Sequence, residues 1–317
     1  MVMARPIWGL LLWLLGAPPL WALDFNHYHT EKDINAYMHE VASDHRDFAH
    51  FHVLGHSRHG HEIDYLVLAQ GDPDALPAIY FNGTHHGDEQ ASTEGILGLI
   101  DYLVSHRATA DVSELLANYA IYIQPLVNPD GFALHTRFDA EGNDPNRDYA
   151  YPERGDSDSF KTPAIRLVKE LTDKVRFRAA AAYHAGMEGV LWPWCYSAQR
   201  NPENDTFYTI AKSVAHALRV PHYQQSYADY PTRGEFIDYL YMTQGTLALT
   251  FEISAEPTPP VAKIAGVVKR SIAGAMAFML DIWELDHGHL KIEHPADAPA
   301  LRPLATVRAN PARVKAE

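Results

Sequence analysis

The chain has 317 residues, 47% of them apolar and 21% charged, with 26 Lys and Arg against 40 Asp and Glu and a formal net charge of −14. That charge balance argues against a nucleic-acid partner, and the apolar content argues against a disordered chain. The lone cysteine, Cys195, cannot form an internal disulfide. Histidine is abundant, at 19 residues; these side chains are metal ligands and acid–base groups, so their spacing carries information.

Residues 1–22 read as a secretory signal peptide. Arg5 is the only charged side chain before Asp24, residues 7–15 are nearly continuous apolar sequence, and Gly16, Pro18, Pro19 and Ala22 form a cleavage region. The apolar run is shorter than the roughly 20 residues of a membrane span. The expected product is exported, periplasmic or extracellular, with no stable membrane association after cleavage. Its stability must come from a core rather than from disulfides. Nine histidines fall between His27 and His61, irregularly spaced and without cysteine; a short helix over 31–41 is the plainer reading there.

Runs at 63–69 and 78–82, bounded by Gly and Pro, read as strands. Residues 89–103 have helical spacing, with Ile96, Leu97, Leu99, Ile100 and Leu103 on one side. A strand follows at 119–126, then a helix at 164–175 with Ile165, Leu167, Val168 and Leu171 on its apolar face. Short strands at 179–183 and 189–192, a helix at 207–218, a strand at 246–253 and a helix at 261–280 complete the pattern. From Pro295 onward no period is sustained, so 291–317 is expected as a flexible tail and 23–290 as one folded domain. Alternating strands and helices predict an α/β fold with a single mixed, mostly parallel sheet and helices on both faces.

Such sheets bind ligands at the carboxyl ends of their strands. His86 and Glu89 follow the strand ending at Asn82, and Asn128 and Asp130 follow the strand ending at Leu126. His184 ends the 179–183 strand, and Glu252 lies near the end of 246–253. The pair His86 and Glu89 has H-x-x-E spacing, which lets an imidazole and a carboxylate share a cation. A catalytic zinc takes three protein ligands of these types, and His184 is the best third donor. His85 is the alternative to His86, but its partner three residues on is Asp88.

The ordered set of H-x-x-E, then Pro125-Leu-Val-Asn128-Pro129-Asp130-Gly131-Phe132, Arg137, Asp144-Pro145-Asn146-Arg147-Asp148, Tyr183-His184 and Thr250-Phe251-Glu252 resembles the zinc carboxypeptidase family. The resemblance covers about residues 60–285. It implies a carboxypeptidase-like fold, one zinc ion per chain, and hydrolysis of the C-terminal bond of a peptide with a free terminal carboxylate. His86, Glu89 and His184 match the zinc ligands, and Glu252 matches the general base that takes a proton from the attacking water. Arg137 matches the arginine that polarises the scissile carbonyl. Asn146 and Arg147 match the pair that grips the terminal carboxylate, Asp144 the carboxylate that orients the first zinc histidine, and Tyr230 the mobile capping tyrosine. Residues 23–290 are then the catalytic domain.

Elementary chemistry agrees with these types. A carboxylate inside the apolar run 247–253 is costly to bury unpaired, and beside an activated water it acts as a base. Arginine suits an oxyanion or a carboxylate because it stays charged and offers a planar fork of donors. Two departures bear on specificity. Asp88 stands where many digestive members carry an arginine, which disfavours acidic groups upstream in the substrate. Ile237 stands where members selective for basic residues carry an acid, which implies an apolar or aromatic terminal residue. Asp238 is adjacent, and a shift of one position in the matching reverses that preference. The runner-up activities are a murein-peptide amidase or an acyl-amino-acid amidohydrolase of the same fold. An inactive binding protein is the rival of a different class, opposed by the presence of every expected catalytic position.

Overall fold

The computed structural model describes residues 23–294; residues 1–22, where a signal peptide is expected, and residues 295–317, most of the expected tail, lie outside the described residues. The first helix, α1 (Glu31–Asp44), starts where Thr30 and Asp33 form a reciprocal cap: Asp33 N–H donates to Thr30 Oγ1, and Thr30 N–H donates to the Asp33 carboxylate. An antiparallel hairpin follows, β1 (Ala49–His56) and β2 (Glu62–Leu68). Then come β3 (Ala78–Gly83), α2 (Gln90–Ser105), α3 (Ala110–Asn118), β4 (Ala120–Gln124) and the short α4 (Pro129–Leu134). The second half contains α5 (Pro163–Lys174), β5 (Phe177–His184), β6 (Met187–Trp192), α6 (Asn204–Leu218), β7 (His222–Gln225), α7 (Phe236–Gln244), β8 (Leu247–Ser254) and α8 (Val261–Asp286).

All eight strands form one sheet in the order β1-β2-β4-β3-β5-β8-β6-β7. The centre, β4-β3-β5-β8, is parallel, while β1, β2 and β6 bring antiparallel pairings. The expected mixed α/β architecture is therefore present. The predicted strands and helices all form, each within a few residues of its expected ends. Two strands and three helices were not foreseen: β1, β7, α3, α4 and α7.

The strand β5 shows why the sheet is covered on both faces. Its side chains alternate, with Ala179, Ala181 and Tyr183 in one core cluster and Ala180 and Ala182 in the other. The small alanines let helices approach closely. On one face α2, α6 and α8 pack with Phe81, Phe251 and Phe278. On the other, α5 and α7 pack with Tyr80, Tyr149 and Phe236. Gly98 of α2 lets α8 approach, since a Cβ there would lie 2.3 Å from Val268. Among the described residues no helix is long and apolar enough to cross a membrane.

Candidate active site

The carboxyl ends of β3, β5 and β8 meet at one recess. After β3 the chain turns through Thr84, whose φ is +62°. A β-branched residue resists that conformation. Here it is held by hydrogen bonds of its side chain to Thr93, Ser92 and the Pro125 carbonyl. The strained turn delivers His85 and His86, and Glu89 forms the N-cap of α2. Gly87 lies against the start of α4, where a Cβ would fall 1.9 Å from the Gly131 carbonyl carbon. Gly131 is needed for a different contact: a Cβ there would fall 2.3 Å from Asn128 Nδ2 and 2.5 Å from the Phe138 carbonyl oxygen.

His86 and His184 face Glu89 from two sides. His86 Nδ1 is 2.8 Å from Glu89 Oε1, and His184 Nδ1 is 2.9 Å from Glu89 Oε2. All three residues are buried, and their ligand atoms lie within 4.8 Å of one another. Burial alone would raise the Glu89 carboxyl, but the two imidazoles outweigh it and hold it well below the usual carboxylate range. Two imidazole nitrogens and one carboxylate converging on one point is the donor set of a catalytic zinc. His85 does not join it: His85 Nε2 is 2.8 Å from the Tyr149 hydroxyl, and its ring stacks on His184 at 5.7 Å. Among the described residues the histidines near the N-terminus form no comparable group.

The next layer is built from the Asp144–Asp148 segment. Asp144 Oδ1 accepts from Asn146 N–H, capping the short turn Pro145–Arg147, and lies 3.1 Å from His86 Nε2. Arg137 Nε donates to Asp144 Oδ2 at 2.9 Å, and its Nη1 reaches 3.2 Å from His86 Nδ1. Burial opposes ionisation of Asp144, yet His86 and Arg137 hold its carboxyl well below the usual range. Asn146 Oδ1 accepts from the N–H of Phe236, tying the segment to the start of α7. Arg147 Nη1 donates to the Asn146 carbonyl at 2.7 Å, and Nη2 donates to the Tyr230 hydroxyl at 3.1 Å. Glu252 stands opposite His184 in the β5–β8 register.

One recess brings together His86, Glu89, His184, Glu252, Arg137, Asn146, Arg147 and Tyr230. Asp144 lies directly behind His86. Ile237 is a correction: it is 1% exposed and packs in the core cluster with Tyr80 and Phe236 rather than lining the recess. The reason is that α7 begins at Phe236, so Ile237 is already turned into the helix's buried face. The rest of the lining is polar at Glu235, Asp229, Ser226 and Thr250 and apolar at Met187 and Leu191, none of them foreseen. Asn128 and Asp130 are not lining residues. Asn128 Oδ1 caps α4 through Gly131 N–H, and Asp130 accepts from Ser57 Oγ and from the N–H groups of Arg58 and His59 in the β1–β2 turn.

Known proteins resemble this chain in sequence and fold. The chain is similar to carboxypeptidase M of Mus musculus, 26% identical over 291 residues, covering 80% of this chain and 65% of that protein. It is 24% identical over 260 residues to carboxypeptidase SOL1 of Arabidopsis thaliana, covering 76% of this chain and 53% of that protein. The chain thus spans less than two thirds of either relative's length. Carboxypeptidase A from Helicoverpa armigera shares the fold, with a TM-score of 0.74 at 18% identity over 82% of this chain and 75% of that one. The model of the family described as zinc carboxypeptidase matches residues 34–274, a stretch that holds His86, Glu89, His184, Arg137, Arg147 and Glu252. With that match over most of its length, the chain belongs to the zinc carboxypeptidase family.

Proposed function

We propose that the chain is an exported zinc metallocarboxypeptidase that removes the C-terminal residue of peptides with a free terminal carboxylate. The observation that carries the reading is the placement of Arg147, with Asn146 beside it, in the same recess as the buried His86–Glu89–His184 group. A guanidinium next to a metal-competent trio measures one residue from the chain end, which distinguishes an exopeptidase from an endopeptidase.

His86, Glu89 and His184 would hold the zinc. When bound, zinc lowers the pKa of a coordinated water toward about 7 and polarises a carbonyl. Glu252 takes the proton of the attacking water and passes it to the leaving amine. Arg137 donates to the carbonyl oxygen as negative charge develops on it, a role that suits a group already fixed by Asp144. Arg147 and Asn146 grip the terminal carboxylate, and the half-exposed Tyr230 closes over the terminal residue. Asp144 fixes the orientation of His86. The leader at 1–22 would deliver the protein to the periplasm or the extracellular space.

The test uses the purified, zinc-loaded chain and a peptide library in which each peptide is supplied as free acid and as C-terminal amide. Mass spectrometry follows the products with and without a chelator. The expected result is chelator-sensitive loss of single C-terminal residues from the free acids alone. If zinc is bound and no L-peptide is trimmed, the reading fails, and cell-wall peptides and acyl-amino acids become the substrates to try.

A further inference from the structure

The turn between β1 and β2 carries His59-Gly60-His61 and lies against Asp130 at the start of α4, away from the residues that line the recess. The turn closes on itself. Ser57 N–H donates to the His61 carbonyl, Gly60 N–H to the Ser57 carbonyl, and His61 N–H to Ser57 Oγ. Gly60, with φ +87° and open space around it, permits the reversal between the two histidines. Asp130 is buried and fixed by the same turn: its carboxylate accepts from Ser57 Oγ at 2.6 Å and from the N–H groups of Arg58 and His59.

Both imidazoles address one oxygen of that carboxylate. His59 Nδ1 is 3.8 Å from Asp130 Oδ1, and His61 Nε2 is 3.9 Å from the same atom. These separations are too long for hydrogen bonds. They are within the span of two ligands on one zinc ion, which sits about 2.0–2.2 Å from its nitrogen and oxygen donors. The far side of His61 is held by Glu31 of α1, whose Oε2 is 2.6 Å from Nδ1. A contact that short puts a proton on Nδ1, so the neutral ring turns the lone pair of Nε2 toward the Asp130 oxygen. A carboxylate behind a histidine orients a metal ligand, and Asp144 stands behind His86 in the same way. The nearby charges favour a cation. Arg58 is engaged by Glu141 at 3.2 Å. Asp64 of β2 is buried, and that burial, with Glu62 and Glu31, pushes its carboxyl up to about 7. The group is wider than the catalytic trio, the one set among the described residues whose three donor atoms all lie within 4.8 Å of one another. His59 is more than half exposed, which leaves its ring room to turn toward an ion.

We infer that His59, His61 and Asp130 form a second metal site, for a divalent ion of the zinc type, with Glu31 fixing His61 from behind. Two imidazoles and one carboxylate suit zinc rather than magnesium or calcium, which take oxygen donors. An ion there ties the β1–β2 turn to α4 directly and to α1 through Glu31. Gly131 of α4 in turn meets Gly87, so one backbone contact joins this site to the loop that carries His86. The inference stands on these residues alone and does not depend on the peptidase reading.

The experiment counts zinc. The full chain and two variants, His59→Gln and His61→Gln, are each dialysed to equilibrium against micromolar zinc, and metal and protein are measured on the same samples. The unsubstituted chain should hold one more zinc ion per molecule than either variant. Zinc that remains in both variants reports the His86–Glu89–His184 group, so the two sites are read separately. Amide hydrogen exchange gives an independent reading. Zinc should slow exchange of the Arg58 and His59 N–H groups, which donate to Asp130, in the unsubstituted chain but not in His61→Gln. His59→Gln changes an exposed side chain and keeps the inference testable if His61→Gln does not fold. A zinc count that neither substitution lowers overturns the inference, and so does exchange at those two amides that zinc leaves unchanged. Either result leaves the carboxypeptidase reading standing, because that reading rests on the zinc both variants retain.

Discussion

Asp281 of α8 makes a quantitative prediction about stability. It is 4% exposed, and its Oδ2 has no hydrogen-bond partner among the described residues. Burial, reinforced by Glu284, pushes its carboxyl up from 3.8 to about 7 against the opposing effect of Ser213. Between those values the folded chain holds a proton that the unfolded chain has lost. Stability contributed by this group is therefore present below about pH 4 and declines as pH rises toward 7. The slope is about 1.4 kcal/mol per pH unit, so the total loss is about 4 kcal/mol. Asp281→Asn stays neutral throughout and keeps the shape. Urea unfolding of both proteins in the same metal state should show the variant more stable by about that amount near pH 8 and nearly equal near pH 4. Other titrating groups are common to both proteins and cancel in the difference. A difference independent of pH, or none near pH 8, would refute the reasoning.

Three further outcomes concern the site. Asp144→Asn leaves a side-chain oxygen to cap the turn at Asn146 but removes the charge beside His86 and Arg137; zinc affinity, read by competition with a chelator, should fall about 10–100-fold. Glu252→Gln should retain zinc by metal analysis while kcat falls about 10²–10⁴-fold; a variant with near-normal kcat excludes Glu252 as the base. Gly87→Ala drives a Cβ into the Gly131 backbone, so thermal unfolding should show a large drop in Tm together with lost zinc, whereas Gly266→Ala in α8, with open space around it, should not lose zinc.

Much of this was legible because the strongest signals were local. Apolar runs marked β2, β3, β4 and β8, the first two bounded by Gly and Pro, and helical spacing marked α2, α5, α6 and α8. The missed elements lack such signals. Strand β1 is half-exposed and rich in histidine, so it has no apolar run. The four residues of β7 are polar at the sheet edge. Helix α7, Phe-Ile-Asp-Tyr-Leu-Tyr-Met-Thr-Gln, is dominated by aromatic and β-branched residues at its start, which mask its helical period. The convergence of His86, Glu89 and His184 was readable because H-x-x-E and a histidine ending an apolar strand are unusual in sequence. The wall of the recess was not readable. Whether residue 235 or residue 237 faces the ligand depends on where α7 begins, and the sequence does not fix that to the residue.

The site also explains why so few ligand-bearing residues suffice. The loop from Thr84 to Glu89 is held through its backbone as well as through the side chains of Thr84 and Glu89. Thr84 O accepts from Asn128 N–H, Gly83 O accepts from Val127 N–H, and Gly87 meets Gly131 directly. Glu89 is fixed at its far oxygen by the N–H of Ala185, which follows His184 on β5. A ligand carboxylate is thereby tied to the strand that carries the other ligand. The Asp144–Arg147 turn is fastened in turn to His86 at one end and to α7 at the other. Each functional side chain is thus positioned by an element that another functional side chain also touches. A displacement at any one of them, such as the Gly87 clash, reaches the metal ligands through at most one intervening contact. That economy predicts coupled losses: substitutions in these loops should reduce zinc binding and stability together.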